Sequence, residues 1–127
     1  MRNKIVNCTP HPIVVETTEF NQETGEWYSN KYTFNATGNV ARVSTQVTKE
    51  TPILLDSTVI VEFKMESVEN TGIEGLPEPV EGRLYIVSAM VLEAGKVLGR
   101  KDLIAPNTNK ATRNDQGHIV SVPGFII

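Results

Sequence analysis

LYIVSAMVLEAGKVLG, residues 84–99, joins a short apolar strand to the one helix that the sequence predicts. The first four residues are all apolar, which is typical of a buried strand. Ser88 is placed to cap the helix. Gly99 can end it, with Arg100 and Lys101 beside the negative end of the helix dipole. Gly95 in the helix interior weakens the prediction, because glycine destabilises a helix by roughly 1 kcal/mol relative to alanine. The helical spacing itself comes from four apolar residues: Val91, Ala94, Val97 and Leu98.

Strand signals dominate the rest of the chain. β-branched or alternating runs predict strands at residues 4–9, 12–17, 40–47, 58–65 and 119–122. Residues 26–28 and 31–34 flank Ser29-Asn30 and predict a hairpin, while Gly38 and Asn39 mark a turn. We therefore expect a mainly β, β-rich α+β fold: a compact antiparallel sheet or sandwich with one helix near residues 88–99.

The chain has the size of a single domain, residues 1–127. Its one cysteine, Cys8, forms no internal disulfide, which fits either a reducing compartment or a protein that needs no disulfide for stability. The basic start has no apolar stretch of a signal peptide behind it, and no apolar run is long enough to span a bilayer. We expect a cytoplasmic protein without a membrane partner.

Charge is distributed unevenly. The net charge is −3, yet residues 96–113 hold five bases and one acid, whereas residues 66–81 hold five glutamates and no base. An acidic molecule repels a polyanion, so we expect no nucleic-acid partner. The basic segment could still hold a small anion. The alternative is that both segments are solvated loops of opposite charge.

The segment from Arg100 to Arg113 is the leading candidate site, predicted to be a loop. Arg100, Lys110 and Arg113 could hold phosphates, because arginine offers a planar fork and lysine a mobile charge. Asn107, Thr108 and Asn109 add neutral donors. The alternative is an ordinary surface loop that leads into the last strand.

His11 lies between two prolines that fix the backbone. Its imidazole either recognises a ligand or bonds to a neighbouring carbonyl within the turn. Cys8 and His11 have the spacing of half a metal site, but His118 is the only other histidine, so we expect no metal and no cofactor. A Cys–His nucleophile pair is formally available. Little marks Cys8 as a reactive thiol, and we expect it to be buried and inert.

Four aromatic residues lie on the predicted hairpin. They suit either a stacking platform for a ligand or the packing of the hairpin itself. They are Trp27, Tyr28, Tyr32 and Phe34.

Several motifs resemble those of a family of small phage and prophage proteins. Residues 7–12, NCTPHP, resemble its N-L-T-P-H-P opening, and GLPEP followed by LYIVSA at residues 75–79 and 84–89 resembles its centre. RKDLIAP at 100–106 and RNDQGHI at 113–119 resemble its ending. The resemblance covers roughly the first 15 residues and the last 55 or so. It does not cover residues 20–34, which resemble an added hairpin. Cys8 stands where the family has leucine, which again indicates a buried side chain.

This family is similar in size and build to phage anti-defence proteins that capture nucleotide signals, such as the cyclic ADP-ribose variants of Thoeris or the cyclic dinucleotides of CBASS. The resemblance implies a homo-oligomer that sequesters a small anionic nucleotide without catalysis, in the cytoplasm of an infected bacterium. His11 or Tyr85 would then meet the base or ribose, and the basic segment the phosphates. Two rival functions are a structural or assembly module and a small phosphodiesterase working with His11 and His118.

Overall fold

The computed structural model describes residues 3–55 and 61–127. Strands dominate and one α-helix is present within these ranges, so the predicted β-rich α+β class is confirmed. The elements are β1 (Lys4–Asn7), β2 (Ile13–Asn21), β3 (Glu26–Phe34), β4 (Arg42–Leu55), β5 (Val61–Glu74), β6 (Arg83–Ile86), α1 (Ala89–Val97), β7 (Leu103–Pro106), a 3₁₀ turn (Thr108–Lys110), β8 (Thr112–Arg113), β9 (Ile119–Ser121) and β10 (Phe125–Ile126).

The central sheet has four strands in the order β1-β6-β7-β10. β1, β6 and β7 are parallel to one another, and β10 runs antiparallel to β7. Because parallel neighbours need a crossover, α1 connects β6 to β7 across the sheet. The antiparallel pairing expected from the sequence is found in the hairpins and at β10, whereas the centre of the sheet is parallel.

The helix α1 lies where the sequence predicts it. Ser88 is the N-cap, and its hydroxyl accepts a hydrogen bond from the backbone N–H of Val91 at 3.3 Å. Gly99, with φ of +81°, follows the last turn in the left-handed conformation that ends many helices. Val91, Leu92 and Gly95 form the buried face.

The hydrophobic core lies between α1, the central sheet and residues of the adjoining segments. Ile86 and Val87 are fully buried, and Cys8 is 1% exposed, as predicted for a core residue. Burial raises the pKa of the Cys8 thiol, because desolvation disfavours the thiolate. The buried core cluster consists of Cys8, Ala41, Tyr85, Val87, Val91, Leu92, Leu103 and Ala105.

The predicted hairpin around Ser29-Asn30 is wrong. Residues 26–34 form one continuous strand that pairs with β2 from Ile13↔Phe34 to Asn21↔Glu26. The turn lies earlier, where the Asn21 side chain accepts hydrogen bonds from the backbone N–H groups of Glu23 and Thr24. Gly25 completes this turn with φ of +72°.

β4 and β5 form a second, longer hairpin. They extend well beyond the predicted strand at 40–47, and of the predicted strand at 58–65 residues 58–60 lie outside the described residues. Residues 45–51 and 65–71 are all exposed, so both faces of this part of the hairpin are open. We call these two ranges the β4–β5 arm.

The predicted loop from Arg100 to Arg113 contains regular structure. Leu103, Ile104 and Ala105 are buried in β7, and the 3₁₀ turn and β8 follow. β7 divides the basic segment. Arg100 and Lys101 lie before its amino-terminal end, whereas Lys110 and Arg113 lie beyond its carboxyl-terminal end. In the described part of the chain no helix is long and apolar enough to cross a membrane.

Candidate functional site

A groove of about 300 Å³ lies where the chain leaves the carboxyl ends of β1 and β7. This is the edge at which open sheets with parallel strands bind their ligands. The lining comes from residues 11–14, Pro106, Thr108 and residues 119–122. We call it the ligand groove. It brings together two of the predicted site residues, His11 and Thr108, which are far apart in the sequence.

The turn that carries His11 is held by the side chain of Asn7. The Asn7 amide donates to the carbonyl oxygens of His11 and Phe34, both at 2.8 Å. Its side-chain oxygen accepts from the backbone N–H of Thr9 at 2.9 Å and lies 2.7 Å from the Thr9 hydroxyl. Asn7 is 1% exposed, so these bonds are made away from water, where each has most effect.

The imidazole of His11 belongs to an exposed residue that lines the groove. His11 is exposed, and among the described residues its ring makes no hydrogen bond, since the bonds to Asn7 and Thr9 use its backbone carbonyl. The sequence also allowed a ring bonded to a neighbouring carbonyl. The described residues show no such bond.

The opposite wall begins where β7 ends. The backbone N–H of Asn107 donates to the carbonyl of Gly124 at 3.0 Å, which fixes the start of the 3₁₀ turn. The backbone N–H of Lys110 then donates to the carbonyl of Asn107 at 3.3 Å. Thr108 lines the ligand groove, and Asn109 and Lys110 follow it as exposed residues of the same turn.

Arg113 lies beside this wall. It is opposite Ile119 in the β8–β9 pair, and Ile119 lines the ligand groove. One guanidinium nitrogen donates to the carbonyl of Gly117 at 2.8 Å. The turn is itself ordered by Asn114, whose side-chain oxygen accepts from the backbone N–H of His118 at 3.0 Å. A guanidinium has five N–H donors, so Arg113 keeps donors for an anion.

The floor of the ligand groove is fixed by contacts between β2 and residues 121–122. The backbone N–H of Glu16 donates to the carbonyl of Val122, and that of Val122 donates to the carbonyl of Val14, both at 2.9 Å. The buried Ser121 hydroxyl donates to the Glu16 carboxylate at 3.3 Å. An apolar lining with a few polar groups is typical of small-molecule sites.

Arg100 lies before the amino-terminal end of β7, at the opposite end of this strand from the ligand groove. Its guanidinium forms two hydrogen bonds with the Asp102 carboxylate, at 2.9 and 2.8 Å, and donates to the carbonyl of Pro77 at 2.9 Å. This pairing lowers the pKa of Asp102 and raises that of Arg100. Arg100 precedes β7 whereas the ligand groove follows it, so the structure does not bring Arg100 and Arg113 to one site.

Tyr85 is also separated from the ligand groove. Its side chain is 1% exposed within the core, and its hydroxyl donates to the carbonyl of Glu78 at 3.0 Å. Of the eight predicted site residues, two line the groove and two lie elsewhere. The remaining four are adjacent in the turn or in β8: Asn107, Asn109, Lys110 and Arg113.

Sequence reasoning missed Asn7 and Ser121. The signal for Asn7 was present, because an asparagine two residues before a threonine at a proline turn is a common pattern of side-chain to backbone bonding. No local signal marks Ser121, whose position in the groove depends on the pairing of β2 with residues more than a hundred positions later.

The aromatic residues of the β2–β3 hairpin occupy both of its faces. On one face Tyr28 and Tyr32 donate to the Glu19 carboxylate at 2.8 and 2.5 Å. On the other, the rings of Phe20 and Trp27 lie 5.1 Å apart. The hydroxyl bonds lower the pKa of Glu19 and raise those of both tyrosines. The hairpin packing predicted as one alternative is thus present, and none of these five residues lines the ligand groove.

Within the described residues, no three His, Cys, Asp or Glu side chains are grouped to hold a metal ion. Comparison of the chain with protein-family models, with curated proteins and with solved structures finds no match.

Proposed function

We propose that the protein binds and sequesters a small anionic nucleotide in the ligand groove and releases it unchanged. The observation that carries this proposal is the meeting of His11 and Thr108 in one groove at the carboxyl edge of the parallel strands. A rigid turn brings an imidazole to one wall, and a donor-rich turn forms the other.

The walls suit the base and the sugar. Pro12, Ile13 and Pro106 offer apolar surface next to the His11 ring, which can stack on a base or bond to a ribose hydroxyl. A volume of about 300 Å³ is at the small end of ligand pockets and suits one nucleoside unit, so a larger cyclic nucleotide would place one unit in the groove and the remainder outside it.

The rim suits phosphate. Lys110 is two residues from Thr108 and Arg113 pairs with Ile119, so two bases are neighbours of groove-lining residues in a molecule whose net charge is −3. Arginine can bind a phosphate through two parallel N–H bonds, and Thr108 and Asn109 add neutral donors. A local basic rim on an acidic protein favours a small anion over a polyanion.

Sequestration requires only that the protein bind its ligand, and it needs no catalytic groups. Among the residues that line the groove in the described structure, His11 is the titratable one, whereas acid–base hydrolysis of a phosphodiester generally uses more than one such group or a metal. The resemblance of the sequence motifs to small phage proteins extends the proposal to an immune signal, a cyclic ADP-ribose variant or a cyclic oligonucleotide.

The test is calorimetric titration with cyclic ADP-ribose isomers, cyclic dinucleotides and linear nucleotides. We expect one class to bind and to be recovered intact, by mass spectrometry, from the heated complex. Arg113→Ala should weaken binding by about 1.5–3 kcal/mol, and Arg113→Lys should restore only part of it. Lys101→Ala is the matched control, because it removes an exposed charge at the opposite edge and should leave affinity unchanged.

Two results would overturn the proposal. One is the absence of any ligand with a dissociation constant below about 100 μM, roughly −5.5 kcal/mol. The other is recovery of a hydrolysed product, which would favour the phosphodiesterase.

The exposed β4–β5 arm favours a second candidate, a structural or assembly module. Extended hairpins with open faces are suited to contacts between protein subunits. This function requires no ligand, so a protein that fails the nucleotide titration and assembles into larger particles would support it.

A further inference from the structure

A second hollow lies where the three parallel strands begin, at the opposite end of β7 from the ligand groove. It has a volume of about 380 Å³ and is open to solvent. Asn3 precedes β1, residues 79–80 and 82–84 lead into β6, and residues 99–102 join α1 to β7; together they line it. We call it the basic hollow.

The charged side chains of this lining are three bases and one acid: Arg83, Arg100, Lys101 and Asp102. Asp102 is compensated by Arg100, whose guanidinium bonds to both oxygens of its carboxylate at 2.9 and 2.8 Å. Among the described residues Arg83 and Lys101 form no ion pair, so their positive charges stay uncompensated there. The nearby Glu78 and Glu81 are exposed and do not line the hollow.

Arg100 is held in place by the protein itself. Its Nε and Nη2 atoms bond to Asp102, and Nη2 also donates to the carbonyl of Pro77 at 2.9 Å. The side chain is only 18% exposed. Within the described structure the remaining nitrogen, Nη1, makes no hydrogen bond, so it keeps its donors. A side chain that is already ordered loses little entropy when it binds a ligand.

The end of α1 does not oppose an anion in this hollow. The last turn of a helix carries a partial negative charge on its free carbonyls. Here the backbone N–H groups of residues 98–100 donate to the carbonyls of residues 94–96. A further base stands beside the lining, because the exposed Lys4 is opposite Arg83 in the β1–β6 pair.

We propose that the basic hollow binds the phosphate group of a small molecule. The uncompensated charges of Arg83 and Lys101 match a phosphate dianion, and a free guanidinium fork can bind it through two parallel bonds. The apolar residues 79–80 and Leu84 leave surface for the rest of a phosphate ester. A local positive hollow on a molecule of net charge −3 favours a small anion over a polyanion. The proposal does not depend on the ligand groove.

The test is an NMR titration of backbone amides with inorganic phosphate, pyrophosphate and acetate. Salt at about 150 mM screens weak attraction between exposed charges. We expect saturable shifts at residues 82–84 and 99–102, strongest with pyrophosphate and weakest with acetate, which carries a single charge. The absence of saturable shifts there up to about 10 mM pyrophosphate would overturn the proposal. Acetate acting as strongly as phosphate would overturn it too.

Variants test the two uncompensated bases. Arg83→Gln and Lys101→Ala should each weaken pyrophosphate binding by roughly tenfold or more, and Arg83→Lys should restore only part of the loss. Lys49→Ala is the matched control, because it removes the same charge from an exposed residue of the β4–β5 arm. Lys101 is exposed, so its variant serves if Arg83→Gln fails to fold. Equal weakening by Lys49→Ala and Lys101→Ala would overturn the proposal.

The same spectra distinguish this hollow from the ligand groove. Arg113→Ala should weaken the response of residues 119–122 to a nucleotide and leave the pyrophosphate response of residues 82–84 unchanged. Lys101→Ala should do the reverse. Either site can therefore fail its test while the other passes. Loss of the pyrophosphate response at residues 82–84 in Arg113→Ala would overturn the proposal, because one site would then account for both responses.

Discussion

The side-chain amide of Asn7 lies 2.8 Å from the carbonyl oxygen of His11 and donates a hydrogen bond to it. The same amide bonds to the carbonyl of Phe34, at the end of the strand that pairs with Ile13. One buried side chain therefore ties the end of β1, the His11 turn and the β2–β3 hairpin together. The position of the imidazole in the ligand groove follows from this link.

Asn7→Ala should lower the free energy of unfolding by about 1–3 kcal/mol for each buried polar group left without a partner. It should also weaken ligand binding, because the His11 turn loses its support. Denaturant unfolding and calorimetric titration measure the two effects. Asn30→Ala, in an exposed asparagine of β3, is the control and should change neither appreciably. Equal stability of Asn7→Ala and wild type would contradict the role assigned to Asn7.

Gly95→Ala should destabilise the protein, although alanine normally stabilises a helix by about 1 kcal/mol relative to glycine. A Cβ at this position would lie 2.3 Å from Cδ1 of Leu103, which is buried in β7. Overpacking of this kind costs about 1–3 kcal/mol. Melting temperatures of the single variants and of Gly95→Ala/Leu103→Ala measure this. Leu103→Ala should destabilise the Gly95→Ala protein less than it destabilises wild type, because the smaller side chain relieves the overlap.

The Arg100–Asp102 pair should make stability depend on pH in the acid range. Arg100 lowers the pKa of Asp102 in the folded state, so the pair stabilises the fold above the unfolded pKa of an aspartate, about 3.9. That stability is lost as the pH falls through the lower, folded value. Asp102→Asn should therefore lose less stability than wild type between neutral and acid pH. Chemical denaturation at both ends of the range measures this, and parallel curves for the two proteins would contradict it.

The Glu19 cluster gives a prediction for a single carboxylate. Tyr32 and Tyr28 lower the pKa of Glu19 by donating hydrogen bonds to its charged form. Tyr32→Phe should move this pKa back toward the ordinary glutamate value, and the double change with Tyr28→Phe should move it further. NMR titration of the side-chain carboxyl resonance measures the shift. An unchanged Glu19 pKa in the double variant would contradict the role assigned to the two tyrosines.

Cys8 should react slowly with thiol reagents in the native protein and quickly in denaturant. Its side chain is buried and its pKa is raised, so little thiolate is present or accessible. Cys8→Ser should cost stability and leave ligand affinity nearly unchanged. Native labelling at the denatured rate would show that the core around Cys8 opens readily.

The sequence predicts those elements whose signals are local. The strand at 84–87 and the helix near 88–99 are recognisable because a continuous apolar run, a capping serine and helical spacing follow one another within sixteen residues. Burial of Cys8 is likewise predictable from its β-branched neighbours. The His11 turn is predictable as rigid because prolines flank it.

The remaining features depend on contacts that are distant in the sequence. The parallel pairing of β1 with β6 joins residues about eighty positions apart. The fully apolar run at 84–87 has no alternation, so it does not show that Tyr85 points into the core. From the sequence, Arg100 was predicted to be available for a phosphate. In the structure its guanidinium bonds to the Asp102 carboxylate and to the carbonyl of Pro77, which is distant in the sequence.

The walls of the ligand groove have a consequence for how the protein is made. Residues 11–14 are synthesised early, whereas residues 119–122, which bond to them, leave the ribosome roughly a hundred residues later, several seconds at ordinary rates of translation. Until then the His11 turn faces an unfinished binding site. The walls of the proposed site can therefore meet only in a late step, after the central crossover β6-α1-β7 has been synthesised, and a chain that ends before Ile119 would lack one of them.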